Sequence, residues 1–216
     1  MNLGSAVHSY ILEGKEAFDK EFFVYDKPDL RLKANKEKHA KIVEQAKGKT
    51  MVTQEQFDIV SEIQANVYIN ELAHHYTKGI VELSHYSSIE GVPVKVRPDC
   101  LGENGNWISD IKTCQDNSPR AFRSDVYKWS YHLQAYFYCL VLGVPVENFR
   151  FIAVETKAPY TVEVYALNDD QIEQGKQAYE KAFSEWKYFH NTGEILKHTT
   201  QYKSKDGALI LSLIHI

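Results

Sequence analysis

Apolar positions recur at helical spacing near both ends of the chain and at a period of two through its middle. Leu3, Val7, Tyr10 and Ile11 share one helical face over residues 3–13, His8 sits at the edge of that face, and Gly14 is suited to close it. Residues 21–25 (Glu-Phe-Phe-Val-Tyr) predict a short strand ended by Lys27-Pro28-Asp29, and the Lys/Glu-rich residues 35–47 predict an exposed helix. Thr53-x-x-Gln56 is a capping box that opens a long helix through residue 76, burying Phe57, Val60, Ile63, Val67 and Leu72.

From residue 78 the period changes. Residues 80–87 and 92–101 predict two strands joined at Glu90-Gly91, and residues 107–114 a third after a turn at 102–106, together an antiparallel meander. Strand side chains alternate, so Val92, Val94 and Val96 share one face while Lys95, Arg97 and Asp99 share the other. On the third strand Asp110 and Lys112 point the same way and Ile111 points into the opposite, apolar layer. Residues 125–142 return to helical spacing, with Val126, Trp129, Leu133, Phe137 and Leu140 on one broad face and Gly143 closing it. Strands at 149–155 and 161–167 follow, then a helix opened by Asp169-Asp170 and running to residue 190. This order predicts one α/β (α+β) domain over residues 1–202, a central mixed sheet with an antiparallel meander flanked by helices.

Residues 203–216 read as a tail outside that domain. Its last stretch, 211–216 (Leu-Ser-Leu-Ile-His-Ile), looks like the translation of a transposon-end adapter used in sequencing libraries, and is set aside from fold reasoning. The expectation is that the natural C-terminus is missing. The chain also starts almost inside its first helix, which predicts a longer natural N-terminus.

Composition narrows the class. A chain of 216 residues can bury one substantial core, and 44% hydrophobic residues with 14 Tyr, 10 Phe and 3 Trp argue against disorder. No apolar run approaches the ~20 residues of a membrane span, and no signal peptide opens the chain. Cys100, Cys114 and Cys139 are odd in number and lack CxxC spacing, so the expectation is a reducing cytoplasm without a disulfide framework. Net charge is −4, which gives no global basic footprint. Nucleic-acid binding would rest on a local patch, for which Arg97, Arg120, Arg123 and Lys128 are candidates, with a bound metal offsetting the acidic site.

The chemistry concentrates on the two strands of the meander that end in Val96-Arg-Pro-Asp99 and Asp110-Ile-Lys112. Two carboxylates and one ammonium on adjoining strands suit a hard divalent cation and a polarised water. Mg²⁺ takes few protein ligands and keeps several waters, so Asp99, Asp110 and the backbone carbonyl of Ile111 suffice, with Lys112 orienting the water and stabilising transition-state charge.

Pro98-Asp99 followed by Asp110-Ile-Lys112 resembles the PD-(D/E)xK nuclease signature, and the chain is most similar to the RecE-type exonucleases (exodeoxyribonuclease VIII), with RecB-type nuclease domains as cousins. Three further matches accompany it. Gly4-x-Ala6-x-His8, running on to Glu13, resembles the opening helix of that subfamily, which implies His8 as a metal ligand. Gln134-x-x-x-Tyr138 resembles the motif after the Asp-x-Lys strand, implying contacts to the DNA backbone or scissile phosphate beside the metal. Glu82 matches an acidic position on the preceding strand that can join the metal. The resemblance implies a restriction-endonuclease-like core and a Mg²⁺-dependent deoxyribonuclease, with Mn²⁺ as a substitute. It further implies 5′→3′ degradation of linear double-stranded DNA in phage-type recombination, a ring-shaped homo-oligomer and a single-strand annealing recombinase as partner. The setting it implies is the cytoplasm of a bacterium or phage-infected host. The iron–sulfur branch of the RecB-like enzymes is disfavoured, because the three cysteines lie outside the terminal regions where such ligands fall.

Blander readings stand beside these. His8 can be a boundary residue of an amphipathic helix, Glu82 a salt-bridged strand carboxylate, and Asp99, Asp110 and Lys112 a surface ion pair. Gln134 and Tyr138, spaced i and i+4, can be a core-edge pair. The rival functions are a restriction or junction-type endonuclease of the same superfamily and a non-catalytic DNA-binding module.

Overall fold

The computed structural model describes residues 3–29, 31 and 33–195. Helix α1 (Leu3–His8) runs into a π-helical turn (Ser9–Glu13), then α2 (Lys15–Glu21), strand β1 (Phe22–Tyr25), α3 (Lys33–Ala46) and β2 (Thr50–Thr53). Next come α4 (Gln54–Ile69), α5 (Glu71–His75), β3 (Ile80–Val81), the hairpin β4 (His85–Ile89) and β5 (Val92–Val96), then β6 (Cys100–Leu101) and β7 (Ile108–Cys114). The chain ends its described part with α6 (Pro119–Lys128), α7 (Tyr131–Leu142), β8 (Phe149–Glu155), β9 (Val162–Tyr165) and α8 (Asp169–Thr192).

The central sheet has the order β3-β6-β7-β8-β9. Its one parallel pairing, β7 with β8, needs a crossover, which α6 and α7 supply. Alternation then divides the sheet into two apolar layers. Ile111, Ile152 and Val154 pack under α1, α2 and α4 with Val7, Phe18, Val60 and Ile63. Ile108, Phe149, Phe151 and Ala153 face the other way, against Phe122 and Val126 of α6 and Ala135 and Cys139 of α7. Side chains as buried as Ile111 and Ile152 each contribute about 1.5–3 kcal/mol of transfer free energy. A mixed, helix-flanked sheet was the expectation, and it is the fold observed.

Several expectations are corrected. The meander is not continuous: it leaves the sheet at residues 82–84, returns at 97–99, and carries β4 and β5 as a separate two-stranded hairpin. Glu82 adopts a left-handed conformation (φ 51°), and Pro98 has no N–H to continue a ladder. The bend at Pro98 also undoes the predicted face of Lys95, Arg97 and Asp99, since Asp99 is buried and the two cations are exposed. The helix predicted over 53–76 breaks at Asn70, whose side chain accepts the Ala73 N–H as a new N-cap. Ala73 is buried there in place of Leu72, which stands exposed. The helix predicted over 125–142 is two helices, divided at Trp129 and a left-handed Ser130, and Trp129 and Leu140 face solvent. Strand β2, parallel to β1, was missed because only Met51 and Val52 in it are apolar. The capping box of Thr53 with Gln56 forms as predicted. The tail at 203–216 lies outside the described residues.

Candidate active site

Strand β6 is two residues long, so it pairs with β7 only at Ile108 and Ser109. Beyond Ser109 that edge of β7 is open, and a side chain replaces the missing strand. Asp99 Oδ2 accepts the Ile111 N–H at 2.6 Å. The N–H and C=O of a strand residue point to the same edge, so the Ile111 carbonyl faces the corner that Asp99 occupies.

Two further side chains reach this corner. His8 ends α1 where the helix widens into its π turn, closed by the Gly14 N–H donating to Ser9 O at 3.1 Å. π turns of this kind recur at functional sites. His8 Nδ1 lies 3.2 Å from the same Asp99 oxygen. Glu82, at the departure of the hairpin, donates its N–H to the Asp99 carbonyl at 3.1 Å, and its carboxylate pairs with Arg97 Nε at 3.1 Å. Ligand atoms of His8, Glu82 and Asp99 all lie within 4.8 Å of one another.

On the α7 side of the sheet, Asp110 and Lys112 form a second group. Lys112 Nζ lies 2.5 Å from Asp110 Oδ1 and donates to Gln134 Oε1 at 2.9 Å. Gln134 Nε2 donates to Asp110 Oδ2 at 2.8 Å, which closes a three-membered ring of contacts. The Lys112 ammonium also rests over the Tyr131 ring, 4.5 Å from its centroid. Tyr131, Gln134 and Tyr138 fall at i, i+3 and i+7 on α7 and so share the face that looks onto β7. The Tyr138 hydroxyl is hydrogen-bonded by Gln134 and raised in pKa, chiefly by burial and then by Asp110.

Electrostatics tie the two groups together. Burial pulls the His8 imidazole down, but its hydrogen bond to Asp99 and the charges of Asp99 and Asp110 outweigh that, raising it to about 9. Burial raises the Asp110 carboxyl, and Asp99 adds to the rise, against the opposing pull of Lys112. Burial also opposes the Lys112 charge, yet Asp110 overcomes it and holds the ammonium above its ordinary value. Burial and the nearby Asp99 raise Glu82 as well. Within this pair the Lys112 ammonium is thus held in its charged form by Asp110.

The donor set fits a hard divalent cation. It offers one imidazole and carboxylate oxygens around a corner also faced by a backbone carbonyl. Asp110 Oδ1 is buried and, despite the nearby ammonium, accepts no aligned hydrogen bond. The cation would replace the charge that His8 and Lys112 now supply to the two carboxylates.

The predicted site residues thus fall into two groups, His8, Glu82 and Asp99 in one and Asp110, Lys112, Gln134 and Tyr138 in the other, which feel one another electrostatically. Asp110 is not among the clustered ligand atoms, and the basic patch lies apart. Arg97 is taken up by Glu82, whereas Arg120, Arg123 and Lys128 line the exposed side of α6. The three thiols stand apart on β6, β7 and α7, and burial pushes Cys100, Cys114 and Cys139 up to about 12, 11 and 12. Sequence reasoning missed Tyr131, whose signal was its position three residues before Gln134 on a helix.

The family model of the PDDEXK-like domain of unknown function (DUF3799) matches residues 1–199. Among solved structures, a candidate exonuclease from Eubacterium rectale matches with a TM-score of 0.59 at 16% identity, covering 89% of this chain and 67% of the other. The structure of SSO0001 matches with a TM-score of 0.31 at 12% identity, covering 83% and 84% of the two chains. No curated protein matches the chain. The central mixed sheet flanked by helices is that of a restriction-endonuclease-like core.

Proposed function

Because the chain belongs to the family of the PDDEXK-like domain (DUF3799), we propose that it is a divalent-metal-dependent nuclease that hydrolyses DNA phosphodiester bonds at the Asp99–Asp110–Lys112 corner. The observation that carries this reading is the ring of Asp110, Lys112 and Gln134 beside an Asp99 that His8 and Glu82 approach. His8, Glu82 and Asp99, whose ligand atoms cluster within 4.8 Å, would hold the cation once Glu82 yields Arg97, with Asp110 and the Ile111 carbonyl as the proposed further ligands. A bound Mg²⁺ or Mn²⁺ supplies Lewis-acid activation of water and neutralises phosphate charge.

The chain's own residues do the rest. Lys112, held charged by Asp110 and aimed by Gln134, donates to the attacking water or a non-bridging phosphate oxygen as negative charge builds on the phosphoryl oxygens. Gln134 and Tyr138 position the phosphate from α7. The water oxygen forms the new bond to phosphorus and gives up a proton to solvent, the P–O bond to the leaving oxygen breaks, and that oxygen takes up a proton from solvent.

In its finer form the proposal follows the RecE resemblance. The substrate is linear double-stranded DNA degraded 5′→3′, the working form a homo-oligomeric ring, and the product a 3′ single strand for an annealing protein. No helix among the described residues is long and apolar enough to cross a membrane. The test is digestion of end-labelled linear duplex with and without Mg²⁺, alongside Asp110→Ala and Lys112→Ala. Full activity in either variant would sink the site assignment, and a wild-type chain inert with every divalent cation would sink the nuclease reading.

A further inference from the structure

Trp129 stands at the corner between α6 and α7, 57% exposed, two residues before the Tyr131 ring that supports Lys112. Its Cα therefore lies within about 7.6 Å of the Tyr131 Cα, two steps of 3.8 Å. Of the other two tryptophans, Trp107 packs against His75 and Tyr76, and Trp186, 44% exposed, has Phe189 as its ring partner. Trp129 has no aromatic partner among the described residues. Its ring instead carries the Lys128 ammonium, 4.6 Å from the centroid.

The exposure is built in. Ser130 takes a left-handed conformation (φ 57°, ψ 35°) that serine adopts reluctantly. The Trp129 N–H donates to Asp125 O, the Ser130 N–H to Tyr127 O, and the Gln134 N–H back to Ser130 O. His132 Nδ1 bonds to Val126 O at 3.0 Å across the same corner. A strained turn thus presents a large apolar ring to water two residues from the Tyr131 that supports Lys112. Arg120, Arg123 and Lys128 are all exposed on α6, Lys128 alone lies against the ring, and none of the three forms an ion pair among the described residues.

An exposed aromatic ring flanked by unpaired cations is the chemistry that holds single-stranded nucleic acid: bases stack on the ring and phosphates track the charges. We infer that Trp129, with Lys128 beside it, is the platform on which an unpaired base next to the scissile phosphate stacks, so that the site takes a frayed or single-stranded DNA end. The inference rests on the nuclease reading and names the state of DNA that reaches the site. Trp129 is a specificity residue and leaves the hydrolytic groups untouched.

The test uses the full chain with Mg²⁺ and labelled single-stranded oligonucleotides. Trp129→Ala raises KM about tenfold and leaves kcat within about twofold, while Trp129→Phe regains most of the loss. An abasic site walked along the oligonucleotide weakens wild type at one position and has no further effect there on Trp129→Ala. An unchanged KM in Trp129→Ala, or abasic sensitivity that survives that variant, overturns the inference. Fluorescence anisotropy in the Lys112→Ala background reads affinity apart from cleavage. Trp129-dependent affinity with an inert wild type supports the platform and removes the nuclease reading; cleavage with Trp129-independent KM and affinity does the reverse.

Discussion

Asp99 Oδ2 accepts the Ile111 N–H at 2.6 Å where β6 has stopped pairing with β7, so one carboxylate both completes the sheet and lines the metal corner. Removing it therefore has two separable effects. Asp99→Ala leaves a buried N–H without an acceptor and costs about 1–3 kcal/mol of stability as well as metal binding. Asp99→Asn keeps an acceptor oxygen, so at pH 10, where His8 is neutral, it should stay within about 1 kcal/mol of wild type in chemical denaturation in EDTA, while losing metal affinity by calorimetry at neutral pH. Equal stability losses in the two variants would contradict the dual role.

The ring of Asp110, Lys112 and Gln134 predicts graded losses of activity. Lys112→Met and Asp110→Asn should each reduce cleavage at least about a hundredfold, because the first removes the cation proposed to meet the phosphate and the second a carboxylate proposed to hold the metal. Gln134→Met should cost less, about tenfold, since it frees Lys112 without removing it. Initial rates on end-labelled duplex at saturating Mg²⁺ measure all three. A Gln134 variant weaker than the Lys112 variant would reverse the proposed order of roles.

His8 predicts the pH profile of the metal-free protein. Its pKa is 6.5 in the unfolded chain and about 9 when folded, so its contribution is fully present below pH 6.5 and is lost as pH rises through 9. At 1.36 kcal/mol per pKa unit the contribution is at most on the order of 3 kcal/mol. Denaturation of wild type and His8→Gln in EDTA should show a gap at pH 6 that closes by pH 10. A gap that is constant across that range would remove the His8–Asp99 pair as its source.

Substrate topology predicts another difference. An exonuclease consumes linear duplex and spares a covalently closed circular plasmid of the same sequence. Gel analysis of both forms in one reaction decides the habit, and nicking or linearisation of the circle would replace the exonuclease proposal with an endonuclease.

Packing behind the site predicts a purely structural lesion. A Cβ at Gly175 of α8 would stand 2.4 Å from the His132 carbonyl oxygen and 2.8 Å from its carbon, both backbone atoms of α7. Gly175→Ala must separate the two helices and should cost about 1–3 kcal/mol in urea denaturation. An unchanged midpoint would show that α7, which carries Gln134 and Tyr138, shifts without resistance.

Much of this site was legible in the residues because its spacing is local. Asp110 and Lys112 share a strand face, and Gln134 and Tyr138 a helix face, so each pair survives any error about where the elements go. Legibility failed where tertiary contacts override periodicity. Lys95, Arg97 and Asp99 were predicted to lie on one face, but the bend at Pro98 turns Asp99 inward to cap Ile111. Trp129 and Leu140 have the spacing of core residues, but the left-handed Ser130 rotates α7 relative to α6 and leaves both outside. Tyr131 escaped notice because an aromatic residue opening an apolar helix has the same pattern whether it packs in the core or beneath an ammonium.

The π turn at Ser9–Glu13 carries one extra residue per turn, and this fixes the rotational phase of everything before it. Each residue of an α-helix turns the chain by about 100°. Deleting a single residue from Ser9–Glu13 would therefore heal the helix into α geometry and swing His8 about a quarter-turn away from Asp99, while Ile11 and Phe18 could keep their places in the core. The imidazole at this corner is thus gated by chain length within one turn, a form of control that no substitution at His8 itself would reveal.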